Sequence, residues 1–289
     1  MPELPEVETI RRDLSRSLVG RKIRSLAITQ SDVLRRTEPV RLVSAVVGRA
    51  VEAVGRRGKN LMVALTDNAA LLINLGMTGQ LFVADSDAHS EQHTHLVAAL
   101  SDSRVLVYRD VRRFGSIELV AGRPVEESET LRKLGVDALS DSFSARGLAE
   151  LLSWRRALLK GALLNQSLVA GLGNIYVCEA LHRAGIHPAT RCDELAPGQF
   201  RALHAAIREV LREAIAAEGT TISDYVTGNR VPGGFQERLQ VYGCEGEVCR
   251  RPGCRATIQR IVQSNRSTFF CPRCQGDSTA GGQSRAELE

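Results

Sequence analysis

The sequence has no run approaching the roughly eighteen consecutive apolar residues of a membrane-spanning helix. Its opening, Met1-Pro-Glu-Leu-Pro-Glu6, lacks both the basic region and the apolar core of a secretory signal. Neither a membrane anchor nor export is expected, and a soluble, cytoplasmic chain is. Seven cysteines are too few for a disulfide scaffold in 289 residues. No internal repeat is found, so a repeat architecture is not expected. Charge of one sign is only mildly short: 38 Lys and Arg stand against 33 Asp and Glu, a net +5. That balance suits a polyanionic partner without establishing one. With 43% apolar residues the chain can bury a substantial core, and its length fits two modest domains.

Val7, Ile10, Leu14 and Leu18 recur at intervals of three, four and four, which places them on one helical face, and Gly20 is a plausible terminator. From about 22 to 120 the texture changes to short β-branched and aliphatic runs, at 22–28, 60–65, 70–73, 104–108 and 116–120, separated by Gly, Asp and Ser. These predict an antiparallel β-sandwich. Around 121–143 the sequence turns polar and loses periodicity. Helical stretches follow near 144–153, 174–184 and 198–217, the last carrying Phe200, Leu203, Ile207, Val210, Leu211 and Ile215. The expected class is α+β: an N-terminal antiparallel β-sandwich flanked by helices over 1–125, a linker over 126–143, a helical domain over 144–242, a finger over 243–275 and a Gly/Ser-biased flexible tail over 276–289.

Four cysteines carry the clearest chemical signal. Cys249, Cys254, Cys271 and Cys274 fit a C-x4-C-x16-C-x2-C pattern. Two such knuckles on a hairpin build a closed tetrahedral thiolate site, so one structural Zn2+ is expected. Between them, 258–262 and 267–270 read as strands and 263–266 as the tip, from which Arg266 projects. Segment 244–274 holds six Arg against Glu245 and Glu247, a charge of +4 suited to phosphates, although an arginine-rich solvated face has the same composition. Cys244 reads as a spare thiol, and Cys178 and Cys192 as small buried residues.

Pro2 follows Met1, a context in which the methionine is normally removed to expose a secondary amine. An α-amino group titrates near pH ~7.7–8.0, so a useful fraction is nucleophilic at neutral pH. Attack of a secondary amine on a sugar's anomeric carbon gives an iminium with no N–H proton to lose, which makes it a strong electron sink. Glu3, Glu6 and Glu8 crowd the helix start. The helix dipole alone accounts for acids there. The chemical alternative gives Glu3 the acid/base work and Glu6 the ordering of the amine or a water.

The run Met1-Pro-Glu-Leu-Pro-Glu-Val-Glu-Thr9, together with the finger, resembles the formamidopyrimidine-DNA glycosylase family. Further similarity lies in Arg57-Gly-Lys-Asn-Leu61, Asn74-Leu-Gly-Met-Thr-Gly79, Asp110-Val-Arg-Arg-Phe-Gly115, the stretch from Lys160 through Gly171-Leu-Gly-Asn174 to Tyr176, and Leu239-Gln-Val-Tyr-Gly243. The resemblance implies a helix–two-turns–helix domain and a bifunctional glycosylase/AP lyase of base-excision repair acting on damaged double-stranded DNA as a monomer. It implies Pro2 as nucleophile, Glu3 as catalytic carboxylate and Lys59 as a phosphate-binding lysine, a residue that alone would read as an ordinary strand-edge lysine. Lys160, Asn174 and Arg266 would hold DNA, the Gly171–Asn174 turn by presenting backbone N–H groups to a phosphate.

An enzyme attacking the sugar of a damaged nucleotide must extrude it, and the vacated space needs a stand-in. By the same resemblance Met77, Arg112 and Phe114 fill that space as plug, orphan-base partner and wedge. Singly each reads as a core side chain or a surface arginine. Residues 220–235 resemble a lid over a flipped purine, which points to 8-oxoguanine and formamidopyrimidines. An endonuclease VIII-like pyrimidine glycosylase and a non-catalytic zinc-finger protein binding damaged DNA are the alternatives. Asn74, Val111, Asn165 and Gly234 depart from the family's usual His, Pro, Asp and aromatic residue, and the four-residue first cysteine gap from the commoner two.

Overall fold

The computed structural model describes residues 2–85, 91–221 and 232–276. Most of the lid segment (222–231) and all but the first residue of the tail lie outside the described residues. The chain divides into two compact units, Met1–Lys133 with Ala214–Gln236, and Leu134–Glu213 with Glu237–Glu289. The helical domain expected over 144–242 includes 214–236, which the division into units places with the first.

The first unit opens with helix α1 (Leu4–Leu18). Pro5 sits in its first turn, where a missing N–H leaves no hydrogen bond unmade. Val7, Ile10, Leu14 and Leu18 are all buried, as their spacing predicts, and Gly20 leaves the helix with φ +81°. Eight strands follow among the described residues: β1 (Ile23–Ile28), β2 (Val51–Arg57), β3 (Asn60–Leu65), β4 (Ala69–Asn74), β5 (Gly79–Ala84), β6 (Thr94–Leu100), β7 (Val105–Asp110) and β8 (Ser116–Ala121). They form two four-stranded sheets, ordered β1-β6-β7-β5 and β2-β3-β4-β8, with every pairing antiparallel.

One core joins the sheets. Ile23, Leu96 and Tyr108 of the first sheet, Leu61, Leu71 and Ile117 of the second, and the buried face of α1 belong to the same apolar cluster. Each large side chain so buried contributes roughly 1.5–3 kcal/mol. The sandwich is therefore confirmed, with three strands and one helix beyond those the sequence indicates. The helix is α2 (Pro39–Val46), which adds Leu42 and Val46 to the core.

The polar segment 126–143 is more ordered than its composition suggests. It holds helix α3 (Glu129–Arg132) and strand β9 (Val136–Asp137), which pairs in parallel with β10 (Val169–Ala170). The second unit also contains α4 (Ala145–Leu152), α5 (Leu159–Leu164), α6 (Asn174–Ala184) and most of α7 (Pro197–Ala216). It ends in an antiparallel hairpin, β11 (Gln259–Gln263) with β12 (Arg266–Phe270). The turn is Ser264-Asn265, both left-handed at φ +50° and +57°. Arg266 is consequently the first residue of a strand, paired with Gln263, and exposed there rather than in the loop tip.

Candidate functional site

At the start of α1, Pro2, Glu3 and Glu6 are all buried. Glu3 is the N-cap and forms a capping box with Glu6, whose Oε2 accepts the Glu3 N–H at 2.8 Å. Glu6 Oε1 accepts the Thr220 N–H, also at 2.8 Å. Both Glu6 oxygens thus bond backbone groups, one beside Pro2 and one at Thr220.

Glu8, on the first turn beyond, pairs with Arg11, Arg12 and Arg56. Arg56 in turn donates to the Gly58 carbonyl at 2.9 Å, fastening α1 to the β2–β3 turn that carries Lys59. Burial works to raise the Glu8 carboxyl, but hydrogen bonds and charge from Arg11, then Arg12 and Arg56, outweigh it and leave it below its ordinary 4.5. A depressed carboxyl contributes stability that is present above the unfolded value and is lost as pH falls through the folded one. Thermal midpoints followed from pH 6 to well below 4.5 are therefore expected to drop more steeply for the wild type than for Glu8→Gln, the divergence opening below 4.5. Parallel curves would show that the pair contributes nothing.

Met77, Arg112 and Phe114 come from two neighbouring loops that share one organiser. Asp110, fully buried, accepts from Thr78 Oγ1, from the Gly115 N–H at 2.8 Å and from the Tyr108 hydroxyl at 3.2 Å. Thr78 Oγ1 then accepts the Arg112 N–H at 3.0 Å. Burial, followed by the Asp110 charge, pushes the Tyr108 phenol up, so it remains a donor. Gly76, at φ +57°, lies so close to the second loop that a Cβ there would sit 2.4 Å from the Phe114 carbonyl carbon. Only glycine permits that approach.

The result is an exposed apolar tip in which Met77 is 39% and Phe114 59% accessible, with the Arg112 guanidinium 4.7 Å from the Phe114 ring centroid. Val111, also exposed, stands beside them in place of the family's Pro. Asp110→Ala is expected to cost about 2–4 kcal/mol in a urea melt, because several donors lose their acceptor together. A loss below the usual scatter of surface variants would remove Asp110 as organiser.

Asn74, where the family usually has His, is half-buried and bonded within the protein. Its Nδ2 donates to Asn60 Oδ1 at 3.0 Å and to the Lys59 carbonyl at 3.5 Å, and its Oδ1 accepts the Gly76 N–H at 3.0 Å. It thereby ties the Lys59 turn to the Met77 loop.

In the second unit, Gly171 adopts φ +106° and Gly173 caps α6, which Asn174 opens. Gln166 braces this turn, accepting the Gly171 N–H and donating to the Leu172 carbonyl. Asn165 Oδ1 accepts from the Ser167 N–H and hydroxyl, two bonds that an Asp would make equally well. Lys160 is 1% exposed, and its ammonium donates to Thr268 Oγ1 and the Ser267 carbonyl. Asn174 Nδ2 donates to the same carbonyl at 2.9 Å. Lys160, Asn174 and the residue following Arg266 therefore converge on one point of the finger.

Glu179, in the middle of α6, is buried and accepts the N–H groups of Gln240, Val241 and Tyr242. Burial raises its carboxyl and those backbone bonds oppose the rise. Neither Glu179 nor Gln166 stands out in the sequence.

The four finger cysteines meet. Their sulfurs all lie within 4.8 Å of one another, with Cys249 and Cys274 3.8 Å apart and Cys254 and Cys271 3.6 Å apart. Four thiolates ~2.3 Å from a shared tetrahedral metal stand ~3.8 Å apart, so the donor set fits a structural metal. His182 of α6 places Nε2 3.6 Å from Cys249 Sγ. Burial, with Arg251 and Arg183 nearby, depresses the imidazole to about 4, leaving it neutral.

The formamidopyrimidine-DNA glycosylase N-terminal domain matches residues 1–117, its H2TH domain residues 134–226, and the zinc finger found in FPG and IleRS residues 246–276. The formamidopyrimidine-DNA glycosylase of Methylobacterium sp. (strain 4-46) is 42% identical across 95% of this chain and 99% of its own. A Lactococcus lactis Fpg in complex with abasic-site DNA superposes with a TM-score of 0.89 at 38% identity, covering 96% of this chain and all of that one. MutM in complex with carbocyclic 8-oxo-G DNA gives 0.88 at 39% identity, with the same coverage. With the same three modules in the same order over nearly its whole length, the chain belongs to the formamidopyrimidine-DNA glycosylase family.

Proposed function

We propose that the protein is a bifunctional DNA glycosylase/AP lyase of base-excision repair that removes 8-oxoguanine and formamidopyrimidines from duplex DNA. The observation that carries this reading is the start of α1, where Pro2 and Glu3 are buried together on a capped helix end. With Met1 removed, the Pro2 nitrogen attacks the anomeric carbon of the damaged nucleotide and the base departs with the glycosidic electron pair and a proton. Glu3 moves protons at the sugar. The proline nitrogen's lone pair then expels the sugar ring oxygen, which takes a proton, and the resulting open-chain iminium acidifies the neighbouring sugar carbon, so that β- and then δ-elimination leave phosphates on both sides of a gap.

Glu6 serves this chemistry by fixing backbone on both sides of the nucleophile. Lys59 holds the phosphate beside the lesion, from a turn fastened to α1 through Arg56. The exposed Met77, Arg112 and Phe114 tip enters the duplex where the nucleotide has left, a role for which preorganisation on Asp110 suits it.

Arg266 neutralises phosphate from its strand, and the start of α6 at Asn174 offers backbone N–H groups to another. Lys160 supports the same grip through Ser267 and Thr268. One zinc ion on Cys249, Cys254, Cys271 and Cys274 shapes the finger and takes no part in bond breaking. No helix among the described residues is long and apolar enough to cross a membrane. We assign the enzyme to the cytoplasm as a monomer.

Paired assays test the substrate class. Duplexes carrying 8-oxoguanine opposite cytosine are expected to be cut faster than dihydrouracil duplexes. The reverse order would favour an endonuclease VIII-like pyrimidine enzyme, and tight binding with no cutting of either would favour a binding module.

A further inference from the structure

The first cysteine knuckle is longer than a two-residue gap requires, and its additional length is put to use. Arg251, one of the four residues between Cys249 and Cys254, donates to the carbonyl of His182 at 2.6 Å and to that of Arg183 at 3.2 Å. These are among the last carbonyls of α6, at the negative end of the helix dipole, and the His182 carbonyl also accepts the Gly185 N–H of the helix cap at 3.0 Å. A guanidinium there is favoured. From the helix side, His182, 4% exposed, directs Nε2 at the sulfur of Cys249. The contact is thus reciprocal: the knuckle caps the helix and the helix reaches into the knuckle.

Two further bonds fix the same junction. Gln275, fully buried, donates to the Ile186 carbonyl at 2.9 Å and accepts the Cys271 N–H at 2.9 Å. At the opposite end of α6, Asn174 and Lys160 bond to Ser267 and Thr268 of β12. The finger is therefore fastened to both ends of the helix whose first turn is the proposed phosphate grip.

We propose that His182 is the positioning residue of Cys249, donating an N–H···S hydrogen bond to the metal-bound thiolate, and that Arg251 of the lengthened knuckle clamps this pair against the end of α6. Four thiolates on a divalent ion carry a net charge of −2, and a donor aimed at one sulfur spreads that charge and holds the ligand in place. The metal site and the proposed phosphate-binding turn then form one mechanical body through α6. The inference rests on the finger being a metal site, so metal content is measured on the same samples.

The test uses the full-length, metal-loaded protein. In wild type labelled with 15N-histidine, long-range 1H–15N spectra are expected to show the His182 proton on Nε2; a ring protonated only on Nδ1 overturns the hydrogen bond. His182→Phe, of similar bulk and without a donor, is expected to surrender its metal to a chromogenic chelator at least about tenfold faster than wild type. His182→Gln, which keeps an N–H donor, is expected to recover most of that loss. Arg251→Met is expected to speed transfer in the same direction.

An unchanged rate in His182→Phe overturns the proposal, and so does a Gln variant as fast as the Phe variant, which would assign the effect to packing. An unchanged rate in Arg251→Met removes the clamp. Should His182→Phe fail to fold, the tautomer in the wild type decides. Purified wild type that binds no metal would instead count against the metal reading itself.

Discussion

Protein that retains Met1 is expected to lose lesion processing by on the order of a thousandfold or more, while its affinity for duplex DNA stays close to that of the processed chain. An amide nitrogen has no available lone pair and cannot open the path to an iminium. The loss falls on bond breaking alone. None of the residues proposed to grip phosphate or enter the duplex depends on Pro2, and the capping box that orders the helix start runs from the Glu3 N–H to Glu6. Single-turnover cleavage and equilibrium binding on the same two preparations, each verified by mass spectrometry, measure the two effects separately. Glu3→Gln is expected to fall in the same direction, since it deprives the sugar of its proton-handling carboxyl.

The second large effect is expected from the finger. Removing the metal with a chelator, or replacing the fully buried Cys271 by Ser, is expected to unfold 246–276 and weaken duplex binding by about a hundredfold at moderate salt. The residues lost are those on which the second unit's proposed grip converges: Arg266 directly, and Ser267 and Thr268, which hold Asn174 and Lys160. The slope of log affinity against log salt should also become shallower by about 0.9 for each phosphate contact removed. Circular dichroism should retain the strand signal of the β-sandwich, whose core draws on none of the finger's residues. Unaltered affinity and salt slope in metal-free protein would show that the finger does not hold DNA.

Much of this was legible from sequence because it is local. The spacing of Val7, Ile10, Leu14 and Leu18 alone identifies the buried face of α1, and four cysteines at ligand spacing locate the metal site before any coordinates. What escaped is short or depends on distant partners. Helix α2 has only eight residues, rich in Val, and in isolation reads no differently from a strand. Helix α5 spans six residues with Gly161 inside it. Strands β2, β5 and β6 escape as well: β2 buries only Val51 and Val54 of its seven residues, β5 opens on Gly79, and β6 opens on the polar Thr94 and His95.

The functional residues missed share one property. Asp110, Glu179 and His182 look like surface side chains, and each is buried against groups far away in the chain: Thr78, the 240–242 backbone and Cys249 respectively. No periodicity marks a carboxylate whose partners arrive only on folding. The departures at Asn74 and Asn165 become intelligible by the same route. Asn165 repeats an acceptor role that does not need charge, and Asn74 exchanges the family's usual His for a bridge between two loops.

The proposed chemistry requires DNA to become attached at the Pro2 nitrogen. Borohydride added during reaction with an 8-oxoguanine duplex should reduce the iminium to a stable tertiary amine link, and peptide mapping should place the sugar on the Pro2 nitrogen. An adduct mapped to Lys59 or Lys160 instead, or efficient strand cutting with no adduct at all, would contradict it.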